Sequence, residues 1–374
     1  MLEAKNYRFF NIPKKYSVTD YKEVLNYIID KYSRINNLVS VYNWGDSSTP
    51  GISDIDIIFV LRSDVNNSLP FFNRSFYFLN TKARYLVRHP FIFIDENSFK
   101  DIRYIYPNTE FKLLYGKGIK INNISSADNY YSSITLLNDI IIRHYPRDFF
   151  EQSVNLSINV RDTLLRLNSL KYSIKMLESL MKEKNVQWNS KLRLIEELRK
   201  NWFKKNNFDL LVLLNKDAIK ISMKITEKFR AFLIKNNLVK INSGNNVRYD
   251  GIKNKTLFIK DWNKGIALQK MSLLVKDKKL FYSILPIELS AQQIEYSKYN
   301  GAVSYYIKKN VSNDIDYQLV HKNTIEQRIK IFNKQAELAS KLRHSDFVAF
   351  FDFGCRNESG INNRILNLLD KLRF

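Results

Sequence analysis

The 374-residue sequence contains one cysteine, Cys355, and few glycines, prolines and histidines. A single cysteine cannot form an intrachain disulfide or build a cysteine-rich zinc site. The histidines are scattered, so we expect them to have structural roles and to form no transition-metal site. They are His89, His144, His321 and His344. No apolar run reaches the roughly 18 residues that span a bilayer, so we expect a cytoplasmic protein with no membrane partner.

The sequence has more basic than acidic residues and a formal net charge of +23. Residues 1–150 hold 19 Lys/Arg against 15 Asp/Glu, whereas residues 151–374 hold 41 against 22. A basic surface attracts nucleic acid, nucleotide phosphates or an anionic membrane surface. The lysines are dispersed and form no dense block, so the alternative interpretation is that many of them lie on solvated faces.

The hydrophobic pattern predicts an α+β chain. An amphipathic helix with Ser17 or Thr19 as its cap is expected at residues 17–37. Strands are expected at 38–42, 55–61 and 90–95, and the last of these ends in a carboxylate. Residues 126–236 have a helical pattern. Beyond them, further strands are expected at 255–259, 266–275 and 280–284, followed by a helix at 324–342.

Residues 44–56, WGDSSTPGISDID, have the features of a metal- and phosphate-binding site. Residues two apart in a strand share a face, so Asp54 and Asp56 should project side by side. Paired carboxylates can hold Mg²⁺, which takes oxygen ligands and leaves room for substrate phosphates. Gly45 and the hydroxyls of Ser47 and Ser48 would let phosphate oxygens approach the loop backbone, and a helix starting after Gly45 would add partial positive charge.

This arrangement resembles the signature of the DNA polymerase β-like nucleotidyltransferase superfamily, over roughly residues 18–120. Trp44-Gly45 matches the first half of the motif, and Ser53-Asp54-Ile55-Asp56 matches the second half. The sequence of the motif is similar to that of the small nucleotidyltransferase domains of the aminoglycoside-modifying and related bacterial branches. Two departures stand out, because Asp46 replaces the usual Ser or Gly and the spacer before Asp54 is short.

The resemblance implies a nucleotidyltransferase-type mixed sheet and a Mg²⁺-dependent enzyme, with two Mg²⁺ ions and a nucleoside triphosphate such as ATP. It also implies a third carboxylate on a neighbouring strand, for which Asp95 is the candidate and Glu96 the alternative. The expected catalytic and metal-binding residues are Asp54, Asp56 and Asp95. The expected nucleotide-binding residues are Gly45, Asp46, Ser47, Ser48 and Ser53.

Three segments are expected: a catalytic domain at 1–122, a helical domain at 123–240, and a mixed α/β region at 241–374 that could bind the acceptor. The basic charge favours an anionic acceptor, either RNA or a phosphorylated small molecule. Two rival hypotheses remain. The domain could have lost catalysis and bind a nucleotide or a partner, or the chain could bind nucleic acid without nucleotide chemistry.

Two other motifs are given structural interpretations. Asp314-Ile315-Asp316 is a second D-I-D that lacks a glycine loop, so we expect Asp314 and Asp316 to be exposed or turn carboxylates. Gly116-Lys117-Gly118 lacks the G-x-x-x-x-G-K-[ST] frame of a phosphate-binding loop, so we expect a domain-closing turn there.

Overall fold

The computed structural model describes residues 4–45, 47–64, 68–89, 91–144, 146–242, 244–250, 255–277, 282–312 and 315–343. They form two compact units. The first unit lies within Met1–Lys15, Ser133–Lys298 and Ile307–Ile325. The second lies within Tyr16–Ser132, Tyr299–Tyr306 and Glu326–Phe374.

Helices and short strands are interspersed along the chain, and the fold is of the α+β class that the sequence predicts. The strands are β1 (Arg8–Phe10), β2 (Leu38–Asn43), β3 (Ile57–Leu61), β4 (Ile92–Asp95), β5 (Lys112–Gly116), β6 (Ser157–Asn159), β7 (Val239–Ile241), β8 (Val247–Asp250), β9 (Lys255–Ile259), β10 (Ser283–Pro286), β11 (Val311–Ser312) and β12 (Tyr317–Leu319). The helices are α1 (Val18–Ser33), α2 (Thr81–Val87), α3 (Glu96–Lys100), α4 (Ser126–His144), α5 (Arg147–Val154), α6 (Val160–Met181), α7 (Val186–Asn201), α8 (Phe208–Lys235), α9 (Lys264–Lys276), α10 (Ser290–Lys298), α11 (Ala302–Asn310) and α12 (Lys322–Lys341).

The second unit is built on a mixed four-stranded sheet with the strand order β4-β3-β2-β5. Strand β2 is antiparallel to both β3 and β5, whereas β3 and β4 run parallel. All five residues of β3 are buried. A parallel pair brings the residues that precede both strands to one edge of the sheet, and those that follow to the other. Polar side chains that precede β3 can therefore contact those that precede β4, but not those that follow it.

Helix α1 covers one face of this sheet. Ser17 is its N-cap and forms a capping box with Asp20, as the sequence predicts. Tyr32 of α1 is fully buried, and its ring packs 4.8 Å from that of Phe59 in β3. Leu338 and Leu342, from α12 and the residue after it, belong to the same core. The far end of the chain therefore helps to bury the sheet that carries the D-I-D stretch.

The first unit combines a helical bundle with small sheets. Helices α5, α6, α7 and α8 pack on one another, and Trp202 and Phe229 are fully buried in this unit. Its four-stranded sheet has the order β10-β9-β8-β11, and two further strand pairs join β1 to β6 and β7 to β12. The predicted helical stretch 126–236 is confirmed as α4 to α8, with one short strand within it.

One predicted strand is wrong, because residues 266–275 lie within helix α9. Asn263 caps this helix by accepting a hydrogen bond from Gly265 N at 2.8 Å. Ala267 and Met271, four residues apart, are its buried positions. A short apolar run is compatible with either structure, and the spacing of these two residues is the helical signal.

The two units divide the chain differently from the predicted segments 1–122, 123–240 and 241–374. Residues 299–306 and the described residues from 326 onward belong to the same unit as residues 16–132. This division arises because Leu338 of α12 and the following Leu342 are buried in the core of the second unit. Segments that are distant in sequence can pack in one core. Within the described chain, no helix is both long and apolar enough to cross a bilayer.

Candidate metal and nucleotide site

The D-I-D stretch lies where the chain enters β3. Ser53, Ile55 and Ile57 are buried, whereas Asp54 and Asp56 between them are only partly buried. This alternation has the period of an extended chain, so both aspartates lie on the more exposed side. The predicted side-by-side placement of Asp54 and Asp56 is therefore confirmed.

His89 completes a cluster with the two aspartates. One ligand atom from each of Asp54, Asp56 and His89 can be chosen so that all three lie within 4.8 Å of one another. His89 Nε2 is 2.6 Å from Asp56 Oδ1, and the side chains are 35% and 23% exposed, respectively. The cluster is thus open enough to receive a ligand, and it is sheltered enough for its charges to be less screened than those of fully exposed groups.

The parallel pairing of β3 and β4 explains why His89 is there. Ile58 is in register with Ile92, so the residues just before β4 lie beside those just before β3. The sequence predicts structural roles for all four histidines, whereas the structure places His89 beside the aspartate pair. The only signal is the position of His89 shortly before a buried strand, and that signal has value only once the pairing of the two strands is known.

A strained turn presents His89 to Asp56. Helix α2 ends at Val87, and Arg88 follows with φ +63° and ψ −33°. His89 N donates to Val87 O at 2.8 Å, which closes a three-residue turn of the rare γ type. Ile55 N donates to Leu86 O at 2.9 Å, so the end of α2 is also attached to the D-I-D stretch.

Gly45 packs directly against the Asp56 carboxylate. It has φ +111°, and a Cβ at this position would collide with Asp56 Oδ2. Asn43 Nδ2 and Trp44 N both donate to Asp56 O, at 2.9 and 3.2 Å. The loop thus requires glycine for a left-handed backbone and for close approach to the carboxylate. From the sequence, phosphate access is the only role predicted for this glycine.

The loop between Gly45 and Asp54 is fixed by buried hydroxyl groups. Ser53 is fully buried, and its Oγ accepts a hydrogen bond from Thr49 N at 3.3 Å. Tyr21 OH donates to Ser53 O and accepts from Gly51 N, the latter at 3.1 Å. Tyr85 OH donates to Gly51 O at 3.0 Å. Ser53 therefore has a structural role in this loop and presents no hydroxyl at its surface.

Of the other predicted phosphate contacts, Ser47 and Ser48 are exposed. Asp46 lies outside the described residues. The described residues from Gly45 to Asp56 form turns and no helix, so the helix amino end considered from the sequence does not occur in that part of the chain. Thr49 N, Gly51 N, Ile52 N and Ser53 N already donate within the loop, so the candidate phosphate donors are the exposed hydroxyls of Ser47 and Ser48.

The structure does not bring Asp95 to the aspartate pair. Asp95 is in register with Leu61, five residues along the strand from Asp56 and hence about 17 Å away. It is buried and caps α3, where its Oδ1 accepts from Asn97 N and Ser98 N at 3.1 and 3.0 Å. Both hydrogen bonds satisfy backbone donors that the start of a helix otherwise leaves unpaired.

Glu96, the alternative third carboxylate, lies at the same far edge. It is the first residue of α3, and its Oε1 is 3.1 Å from Lys100 Nζ one turn later. Asp95 and Glu96 are the sequence candidates for the third carboxylate because they follow an apolar strand. The parallel direction of that strand places them at the wrong end for a shared metal site.

The remaining two motifs have structural roles. Gly116 ends β5 with φ +82°, and Lys117 N donates to Val39 O of β2 at 3.0 Å, so this segment extends the pairing of β5 with β2 and does not form the predicted turn. Asp316 is exposed and accepts from Asn242 Nδ2 at 3.0 Å. Asp314 lies outside the described residues. Both D-I-D stretches contact a glycine, but Gly45 packs against the Asp56 carboxylate, whereas Gly244 packs against the Ile315 side chain.

The donor set fits a divalent cation. Two partly buried carboxylates supply the oxygen ligands that Mg²⁺ and Mn²⁺ accept, and the imidazole adds a nitrogen donor. Among the described residues, this cluster contains no third carboxylate, and His89 lies beside the pair instead. Comparison with known protein families, curated proteins and solved structures finds no match for the chain.

Proposed function

We propose that the chain is a divalent-metal-dependent nucleotidyltransferase that moves a nucleoside monophosphate from a nucleoside triphosphate to an acceptor hydroxyl. One observation carries the proposal: Asp54 and Asp56 lie together just before the buried strand β3, and Gly45 packs against the Asp56 carboxylate. Paired carboxylates beside the exposed hydroxyls of Ser47 and Ser48 suit the binding of a metal-bound triphosphate.

Each part of the loop has a role in this proposal. Asp54 and Asp56 would hold the metal, which when bound neutralises phosphate charge and stabilises the attacking and leaving oxygens. Ser47 and Ser48 would orient the triphosphate through their hydroxyls. Asn43 would keep Asp56 in place through its hydrogen bond to the Asp56 carbonyl. Positioning of this kind supplies much of the acceleration in phosphoryl chemistry.

The proposed reaction is an in-line displacement. The acceptor hydroxyl loses its proton and attacks the α-phosphorus, while the bond from that phosphorus to the bridging oxygen breaks and pyrophosphate leaves. An anionic acceptor suits the basic residues 151–374, which hold 41 Lys/Arg against 22 Asp/Glu. RNA and a phosphorylated small molecule differ in salt dependence, because RNA bound through many Lys/Arg is lost steeply as salt rises.

One observation favours a second candidate, a nucleotide-binding module without catalysis. Among the described residues, the aspartate pair has no third carboxylate, since Asp95 caps a helix at the other edge of the sheet. Binding and transfer must therefore be measured separately.

The experiment is calorimetric titration with non-hydrolysable triphosphate analogues, with and without divalent cation, followed by a transfer assay with α-labelled triphosphates. Asp54→Asn and Asp56→Asn should each abolish metal-dependent binding. Asp316→Asn is the matched control, because it makes the same change in the exposed D-I-D. Binding without transfer to any acceptor would favour the inactive module. No binding of any triphosphate analogue to the unaltered protein, with or without divalent cation, would overturn both candidates.

A further inference from the structure

His89 is close enough to share an ion with the aspartate pair. Adjacent donors around an octahedral ion with bonds of about 2.1 Å lie roughly 3 Å apart, and opposite donors lie roughly 4.2 Å apart. His89 Nε2 and Asp56 Oδ1 are 2.6 Å apart, and the three donor atoms lie within 4.8 Å of one another. Shifts of a few tenths of an ångström would accommodate one ion among all three.

The backbone adopts an unfavourable conformation to bring this histidine into place. Arg88 has φ +63° and is not glycine, and the γ-turn that it forms is rare and strained. A half-exposed His–Asp pair stabilises a fold only slightly, so the pair alone does not explain why the turn is retained. Strain of this kind is concentrated at sites where a side chain must be held for a ligand.

The nitrogen donor changes the class of ion that fits the cluster. Mg²⁺ prefers oxygen ligands, whereas an imidazole favours first-row transition metals, among which Mn²⁺ also suits carboxylate and water ligands. A site of two carboxylates and one imidazole also leaves coordination positions open for triphosphate oxygens. The donor chemistry therefore distinguishes this cluster from the all-carboxylate set that the sequence resemblance implies.

We propose that His89 is a metal ligand, so that Asp54, Asp56 and His89 form a mixed nitrogen–oxygen site that binds Mn²⁺ in preference to Mg²⁺. This inference rests on the carboxylate pair of the proposed function. It adds a ligand and an ion preference that the proposed function does not require, and both can be measured without nucleotide.

The test is pulsed electron paramagnetic resonance of the full chain loaded with Mn²⁺, together with calorimetric titration of Mn²⁺ and Mg²⁺. The unaltered protein should show nitrogen coupling to Mn²⁺ and bind it at least about tenfold more tightly than Mg²⁺. His89→Gln should remove the coupling and weaken Mn²⁺ binding about tenfold, while Mg²⁺ binding changes little. His144→Gln is the control, because His144 is also partly exposed and lies 3.7 Å from a carboxylate, that of Asp148.

Each outcome decides the inference. Mn²⁺ binding without nitrogen coupling, lost in Asp54→Asn, would overturn the role of His89 and leave the proposed function intact. Coupling that persists in His89→Gln would also overturn it. Nitrogen coupling with no nucleotide transfer would support the ligand and count against the enzyme. The coupling in the unaltered protein needs no variant, so a poorly folded His89→Gln protein would not prevent a decision.

Discussion

Carboxylates lie at both edges of the sheet formed by β3 and β4, and they have different surroundings at the two edges. Asp54 and Asp56 precede β3, whereas Asp95 ends β4. At the edge where both strands begin, Asp54 and Asp56 are partly buried and lie beside His89. At the edge where both strands end, Asp95 is 8% exposed and accepts hydrogen bonds from backbone donors of α3. An aspartate next to an apolar strand is thus a site candidate only if the local backbone does not already use its oxygens.

The largest expected effect is a difference in transfer rate between a variant at one edge of the sheet and a variant at the other edge. Asp54→Asn should lower the transfer rate by about 10²–10³-fold, because the metal that would neutralise the reacting phosphate loses a carboxylate ligand. Asp95→Asn should leave transfer within a fewfold of the unaltered rate, since Asp95 lies about 17 Å along the strand from the site. Single-turnover kinetics at saturating metal would measure both. Equal losses in the two variants would remove the distinction between the edges.

A second prediction concerns the glycine at the site edge. Gly45→Ala should destabilise the fold by about 1–3 kcal/mol, because alanine is strained at φ +111° and its Cβ would strike Asp56. Transfer should fall as well, since Asp56 must move. Gly118→Ala is the matched control, as its Cβ would meet only Leu113 Cδ2 at 3.9 Å. Urea unfolding would compare them, and equal stability of the two variants would contradict the packing of Gly45 on Asp56.

A third prediction tests the structural edge. Asp95→Ala should destabilise the fold by about 1–2 kcal/mol, because the start of α3 loses the side chain that accepts from Asn97 N and Ser98 N. Glu96→Ala should change stability by no more than about 0.5 kcal/mol, since its pairing with Lys100 is partly exposed. Thermal unfolding would measure the difference. A larger loss in Glu96→Ala than in Asp95→Ala would refute the capping role.

The smallest effect concerns Asp20, whose ion pair lies toward solvent. The hydrogen bond from Lys82, followed by that from Ser17 N, holds the pKa of Asp20 well below its usual range. A depressed carboxyl pKa stabilises the fold above the unfolded value, near pH 4, and this stabilisation is lost as the pH falls further. Lys82→Met should therefore lower the urea midpoint slightly at pH 7, and the difference should shrink in acid. Exposed Lys22→Met is the control, and a difference that grows in acid would contradict this assignment.

The sequence allowed much of the second unit to be predicted. The capped helix α1, strands β2, β3 and β4, and the shared face of Asp54 and Asp56 all follow from local periodicity and capping chemistry. The strand predicted at residues 266–275 is part of helix α9, and its length, beyond the roughly four to eight residues of a typical strand, already favoured a helix. Residues of α12 fill the core of the second unit, which no local pattern indicates.

By itself the sequence determined the paired aspartates and the glycine loop before them, because residues two apart in an extended chain share a face whatever surrounds them. Only the tertiary structure decided which groups join the pair. The parallel pairing of β3 with β4 brings His89 to the edge that carries Asp54 and Asp56, and the same pairing carries Asp95 to the opposite edge. Strand direction and register depend on how distant segments pack, and a single sequence does not specify them locally.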